Sequence, residues 1–79
     1  MKEIKVVYCA RWNYKPEAVS LAANLKEFGL DHSVELVAGD KGIFDVYFGE
    51  TLLYSKYDSG DFPGKLDTSN IAATIKKLA

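Results

Sequence analysis

The stretch that decides the fold runs from residue 4 to residue 17 and reads IKVVYCARWNYKPE. Its first five residues alternate and are rich in β-branched side chains. They predict a strand over Ile4–Tyr8 that is apolar on both faces and therefore central in a sheet. Pro16 suits the first turn of a helix, where a missing backbone N–H is tolerated. Cys9, the only cysteine of the chain, therefore falls between the end of a strand and the start of a helix.

A helix is predicted over Tyr14–Phe28, because its apolar residues recur with the spacing i, i+3, i+4, i+7. Those residues are Ala18, Leu21, Ala22, Leu25 and Phe28. Asn13 is chemically the better N-cap, Lys15 is the other candidate, and Gly29 supplies the stop at the C-terminal end. The helix N-terminus then lies close to Cys9, where it stabilises a thiolate, the form of cysteine that reacts.

Three more strands are predicted in the middle of the chain. They cover Ser33–Ala38, Ile43–Phe48 and Thr51–Tyr57. Gly49 and Glu50 form a tight hairpin between the last two strands. Residues 58–64, which are rich in Gly, Asp and Ser, are predicted to form a loop.

A second helix completes the predicted order β-α-β-β-β-α. Its N-cap is Asp67, Thr68 or Ser69, and its apolar stripe consists of Ile71, Ala72, Ile75 and Leu78. The first β-α-β unit is expected to form a right-handed parallel crossover, and the hairpin adds antiparallel strands. We therefore expect a single α/β domain over residues 1–79, a mixed four-stranded sheet with two helices covering its apolar face. Ligands of such sheets gather at the carboxyl ends of strands, which is where Cys9 lies.

Composition and charge argue against several classes of partner. The chain has 79 residues, of which 48 % are hydrophobic and 27 % charged, as in an ordinary globular protein. Its net charge of −1 gives no general attraction to nucleic acid or to an anionic membrane. An RNA-binding α/β domain is also disfavoured by the predicted strand order. We therefore expect neither nucleic acid nor a membrane as a partner.

The single cysteine and the lack of long apolar segments indicate a compartment. One cysteine cannot form an internal disulfide, so nothing points to an oxidising environment. No signal peptide and no membrane span is apparent in the sequence. A cytoplasmic protein is expected. No spacing typical of a metal site or of a phosphate-binding loop is present, so no cofactor and no metal are predicted.

Three short strings, in this order, resemble a known family. They are YCARWNYK at residues 8–15, GIFDV at residues 42–46 and GDFP at residues 60–63. Together they are similar to the redox motif, the Gly-x-Phe-acidic-Val strand and the Gly-x-Phe-Pro loop of the selenoprotein W-like, or Rdx, family (SelW, SelT and SelH). The order and spacing of the elements agree over essentially the whole chain.

The resemblance implies a thioredoxin-like fold and a thiol or selenol redox role, with glutathione or protein thiols as partners. Of the family's redox pair, only Cys9 carries over. Trp12 stands where the family has its second cysteine or selenocysteine. The C-x-x-C site is thus reduced to one thiol, which has no internal partner.

Two interpretations of Cys9 stay open at this point. It is either a reactive monothiol, with Arg11 and Lys15 nearby to favour the thiolate, or a small buried apolar residue that is inert. As a monothiol it would exchange with other thiols or form a mixed disulfide with glutathione.

The second set of candidates is aromatic. Trp12, Tyr14, Phe62 and Pro63 are candidate residues for binding a substrate or a protein partner. Trp12 would stack on a bound peptide or shield the thiol, or else pack on Tyr14 and the loop around Phe62 as a minor core. The alternative to a redox function is therefore a non-enzymatic interaction module that uses the Trp12, Tyr14 and Phe62 surface.

Overall fold

The computed structural model describes residues 3–30 and 32–79. Met1, Lys2 and Asp31, which the predicted domain includes, lie outside the described residues. The elements are β1 Ile4–Cys9, α1 Lys15–Glu27, β2 Val34–Gly39, β3 Phe44–Phe48, β4 Thr51–Ser55, α2 Lys56–Ser59 and α3 Lys65–Leu78.

The four strands form one sheet in the order β2-β1-β3-β4. β1 pairs with β2 in parallel and with β3 antiparallel, and β3 pairs antiparallel with β4. The predicted mixed four-stranded sheet is confirmed, and β1 is central in it. The crossover that joins β1 to β2 contains α1, as expected for parallel neighbours.

One face of the sheet holds the hydrophobic core. Ile4, Val6 and Tyr8 of β1 belong to it, together with the alternate residues of β3. Both long helices pack on this face and bury their apolar stripes there. The helical part of the core is Ala18, Leu21, Leu25, Ile71, Ala72 and Ile75. Within the part of the chain that the structure describes, no helix is long and apolar enough to cross a membrane.

The opposite face carries the remaining side chains of the strands. On β1 these are Lys5, Val7 and Cys9, which alternate with the core residues. On β3, Asp45 lies opposite Val7 and also opposite Ser55 of β4. This second face therefore holds the only cysteine, next to a strand that carries a carboxylate.

The prediction for the end of β4 is wrong. The strand stops at Ser55, and residues 56–59 form a one-turn helix, α2. Gly60 ends that turn with a φ of 85° and donates its N–H to the Lys56 carbonyl at 2.7 Å. Alternating residues favoured a longer strand, but a glycine in the left-handed region closes a helical turn more easily than it extends a strand.

The predicted helix caps are also wrong. α3 begins at Lys65 with Gly64 as its N-cap, so none of Asp67, Thr68 and Ser69 is the cap. Asp67 instead accepts the Gly64 N–H at 3.2 Å, as a third helical residue does in a capping box. Leu78, predicted to belong to the apolar stripe, is 42 % exposed.

At the start of α1, the N-cap is Tyr14 and no side chain caps the helix. Asn13 adopts a left-handed φ of 59° instead. Asn tolerates this conformation, so it turns the chain from the loop into the helix rather than capping it. Gly29, with a φ of 89°, follows the helix as predicted.

Candidate functional site around Cys9

Cys9 is the last residue of β1, lies opposite Gly39 of β2, and is 0 % exposed. Its Sγ accepts the backbone N–H of Trp12 at 3.3 Å. The turn that follows the strand makes this possible, because Asn13 donates its N–H to the Ala10 carbonyl at 3.1 Å and Tyr14 donates to the Cys9 carbonyl at 2.9 Å. The chain thus folds back on itself directly after the strand and brings an amide to the sulfur.

The ring of Trp12 rests on the backbone of Gly42. A Cβ added to Gly42 would lie 2.6 Å from Cζ3 of the indole, and Gly42 has a φ of 73°. A residue with a side chain would therefore meet both a strained backbone and the indole. Sequence reasoning missed this contact, although Gly42 is the first residue of the string GIFDV and so could have drawn attention.

Trp12 also belongs to a row of aromatic rings. Its centroid lies 6.1 Å from that of Tyr14, Tyr14 lies 4.7 Å from Phe62, and Phe62 lies 5.2 Å from Phe44, all edge to face. Phe44 is part of the core, so it anchors the row. We call Trp12, Tyr14 and Phe62 the aromatic row.

The exposed fraction of the aromatic row is concentrated at one end. Trp12 is 58 % exposed, whereas Tyr14 and Phe62 are half-buried. Lys56 extends its ammonium over the inner part, with Nζ 5.6 Å from the Tyr14 centroid and 5.5 Å from that of Phe62. Cation–π contacts of this kind favour a fixed arrangement of the rings.

Pro63 does not join the aromatic row. It lines a cavity of about 300 Å³ between the end of α1 and the start of α3. The other lining residues are Asn24, Glu27, Phe28, Gly64, Lys65 and Thr68. The structure therefore brings three of the four predicted aromatic-surface residues together and places Pro63 at a different site.

A second contact supports the turn before β3, on which the indole of Trp12 rests. The Tyr57 hydroxyl of α2 donates to the Lys41 carbonyl. Lys41 has a φ of 59° and directly precedes Gly42. The one-turn helix therefore supports the turn on which the indole rests. This role could not be predicted from the sequence, because Tyr57 was expected to belong to strand β4.

Asp45 is the other unexpected residue near Cys9. It is 8 % exposed, although it lies on the face of the sheet that the long helices leave free. Its Oδ1 is buried, and no donor among residues 3–30 and 32–79 reaches it. Buried carboxylate oxygens rarely lack a hydrogen-bond partner, so Asp45 is a candidate for a functional role.

In this conformation the Cys9 sulfur accepts a hydrogen bond but is not accessible to an external reactant. An N–H that points at sulfur stabilises a thiolate. Reaction with an external disulfide requires a local opening, because Cys9 is fully buried. Among the residues that the structure describes, no group of three or more His, Cys, Asp or Glu side chains could hold a metal ion.

Comparison with known proteins identifies the family. The model of the Rdx family matches residues 3–74, which is most of the chain. The chain belongs to the Rdx family. The resemblance drawn from the three short strings is thereby confirmed. Membership of this family indicates a redox-related protein with a thioredoxin-like fold.

Two solved structures are similar to this Rdx chain. A protein from Bordetella parapertussis is 25 % identical, with a TM-score of 0.83, and the match covers 92 % of this chain and 95 % of that one. A selenoprotein W-related protein from Vibrio cholerae is 18 % identical, with a TM-score of 0.81, over 98 % of this chain and 95 % of that one. The second likeness supports the fold alone. Among curated proteins, none matches the sequence at a significant level.

Proposed function

We propose that this Rdx chain is a monothiol redox protein that reacts through Cys9 once the Trp12 segment opens. The observation that carries the proposal is the hydrogen bond from the Trp12 N–H to Sγ at 3.3 Å. The amide that contacts the sulfur belongs to the residue at which the family has its second cysteine or selenocysteine. The backbone at this position thus donates a hydrogen bond to the sulfur, even though the second redox side chain is absent.

The reaction we propose is thiol–disulfide exchange with glutathione or with a protein thiol. The Cys9 thiolate attacks glutathione disulfide, an S–S bond breaks, a Cys9–glutathione bond forms, and one glutathione thiolate leaves. A second external thiolate then attacks the mixed disulfide and regenerates the Cys9 thiolate. No internal thiol resolves the product, because the chain has one cysteine. A reducing cytoplasm that contains glutathione suits this chemistry.

Opening is required because the sulfur is fully buried in the closed state. Three contacts hold that state. They are the Trp12 amide on Sγ, the indole on Gly42, and the Tyr57 hydroxyl on the Lys41 carbonyl. Local openings of such loops need less free energy than global unfolding, so the thiol is protected without being inaccessible.

The test uses reduced protein and glutathione disulfide at pH 7, followed by intact mass spectrometry. We expect one glutathionyl group on the wild type, none on Cys9→Ser, and faster addition to Trp12→Ala. Release by added reduced glutathione should restore the original mass. If wild-type protein stays unmodified while its unfolded chain reacts readily, the monothiol proposal is wrong.

A second candidate function rests on the exposure of Trp12. Trp12 is more than half exposed, although its indole lies against Gly42 and edge to face with Tyr14. A large fixed aromatic surface is typical of protein interfaces. We infer that the aromatic row could bind a protein partner without any reaction of Cys9.

The two candidates are separated by a pair of variants. For a purified partner, binding that survives Cys9→Ser and is lost in Trp12→Ala supports the interaction module. Loss of the complex in Cys9→Ser, with retention in Trp12→Ala, supports a covalent thiol-based encounter instead. Leu66→Ala, which removes an exposed apolar side chain on α3, serves as the control for nonspecific loss of surface area.

A further inference from the structure

The buried Oδ1 of Asp45 has no hydrogen-bond partner among the residues that the structure describes. In a sheet, a carboxylate at a nine-tenths buried position is unfavourable unless it receives hydrogen bonds or serves a chemical purpose. Its direct strand neighbours, Val7 and Ser55, donate no hydrogen bond to this oxygen. The carboxylate is therefore available for a proton.

The register of the sheet places Asp45 next to Cys9. Asp45 lies opposite Val7, and Cys9 is two residues further along β1, so both side chains are on the same face. Such diagonal neighbours on antiparallel strands lie about 7–8 Å apart. At such a separation, one water molecule can connect a thiol to a carboxylate.

We propose that Asp45 is the proton acceptor for the Cys9 thiol during mixed-disulfide formation. This inference rests on the proposed function. In the step, the thiol proton goes to the Asp45 carboxylate, Cys9 Sγ forms a bond to one sulfur of glutathione disulfide, the S–S bond breaks, and a glutathione thiolate leaves. Asp45 lies on the same face as the sulfur, so it can accept the thiol proton as the Trp12 segment opens and the disulfide reaches Sγ.

The other titratable or charged groups on this face and in the turns beside it are less suited. They are Lys5 on β1, Glu35 on β2, Tyr47 on β3, Tyr57 on α2, and Arg11, Asp40 and Lys41 in the turns. None of these side chains is buried. Glu35 is the useful comparison, because it is a carboxylate on the same face at an exposed position opposite Lys5.

The experiment measures the rate of glutathionyl addition to full-length wild type, Asp45→Asn, Asp45→Glu and Glu35→Gln between pH 6 and pH 9. We expect Asp45→Asn to slow the reaction at pH 7 by about tenfold or more, with the deficit shrinking at high pH, where hydroxide replaces the acceptor. Asp45→Glu, which keeps a carboxylate, should retain most of the rate. Glu35→Gln should match the wild type.

Hydrogen exchange of the Trp12 amide separates a chemical role from a structural one. Because this amide donates to Sγ, its exchange reports opening of the segment. We expect the same exchange rate in wild type and Asp45→Asn. If Asp45→Asn unfolds, Asp45→Ser is measured in the same way.

Three results would overturn the inference. One is an unchanged or faster rate in folded Asp45→Asn, and another is an equal loss in Asp45→Glu and Asp45→Asn. The third is a slower rate that is fully accounted for by slower opening. In all three the wild type still reacts, so the monothiol function stands. If the wild type itself does not react, the proposed function fails and this inference fails with it.

Discussion

The two faces of β1 follow different rules. One face sends Ile4, Val6 and Tyr8 into a core that two helices cover. The other carries Cys9 at the strand end, where it is fully buried but does not belong to that core. On the first face, hydrophobic periodicity alone determines the environment of each side chain. On the second, Sγ accepts the backbone N–H of Trp12 from the turn after the strand, and the indole of the same residue lies on Gly42. Turns open more easily than a packed core does.

The comparison predicts that substitutions on the core face change the stability of the protein and have little direct effect on the reactivity of Cys9. Leu25→Ala should lower the free energy of unfolding by about 2–5 kcal/mol, because it leaves a cavity at a fully buried site. Urea unfolding measures this. Leu66→Ala, at a position that is 75 % exposed, should change stability by less than about 0.5 kcal/mol. A similar loss in both variants would contradict the placement of the core.

A variant at Gly42 should affect the thiol face most. Gly42→Ala forces a side chain into a left-handed backbone at about 1–2 kcal/mol and displaces the indole of Trp12. We expect the rate of Cys9 alkylation to rise by about tenfold, the ratio that corresponds to about 1.4 kcal/mol less free energy for opening.

Gly29→Ala is the matched control for this variant. Gly29 also has a positive φ, of 89°, but an added Cβ would meet only the flexible end of the Lys76 side chain, at 3.5 Å. The backbone penalty should therefore be similar, and the alkylation rate should stay near that of the wild type. Equal acceleration in both variants would mean that general destabilisation, and not the Trp12 contact, exposes the sulfur.

A smaller effect is expected at the support of the turn. Tyr57→Phe removes the hydrogen bond to the Lys41 carbonyl, which is worth about 0.5–1.5 kcal/mol. Alkylation of Cys9 should become severalfold faster, as measured by mass spectrometry over time. Tyr47→Phe, on β3, is the control and should leave the rate unchanged. If Tyr57→Phe reacts no faster than the wild type, α2 does not help to keep the site closed.

The smallest effect is expected far from the thiol. Asp67→Ala removes the acceptor of the Gly64 N–H at the start of α3 and should lower stability by about 0.5–1 kcal/mol. The alkylation rate of Cys9 should not change. Thermal unfolding and alkylation, measured on the same sample, check both halves of this expectation. A faster thiol reaction would show that the helix face and the thiol face are coupled.

The same contrast explains how much the sequence could predict. Strand β1, the crossover and the core stripe of α1 follow from periodicity, and the three family-like strings pointed to the right family. The exact ends of β4 and α3 did not follow, because Gly60 and the Gly64–Asp67 pair act through backbone geometry that periodicity does not record. Such local backbone features shift the end of a helix or strand by one or two residues, which a periodic pattern cannot resolve.

The site was predicted only in part, and for a related reason. The sequence indicated Cys9 and the aromatic residues, and it offered packing on Tyr14 as one role for Trp12. It could not show that Gly42 receives the indole or that Asp45 is buried, because both depend on the register between strands distant in sequence. Pro63 was grouped with Phe62 by adjacency, but successive residues of an irregular loop need not face the same way.

The most direct test of the central claim, a buried thiol released by local opening, is the alkylation rate of Cys9 with iodoacetamide at increasing urea concentrations below the unfolding transition. We predict a rate that is nearly independent of urea at low concentration and exceeds the rate allowed by global unfolding, because a small segment exposes little surface. A rate that follows the full urea dependence of global unfolding from the start would contradict the account.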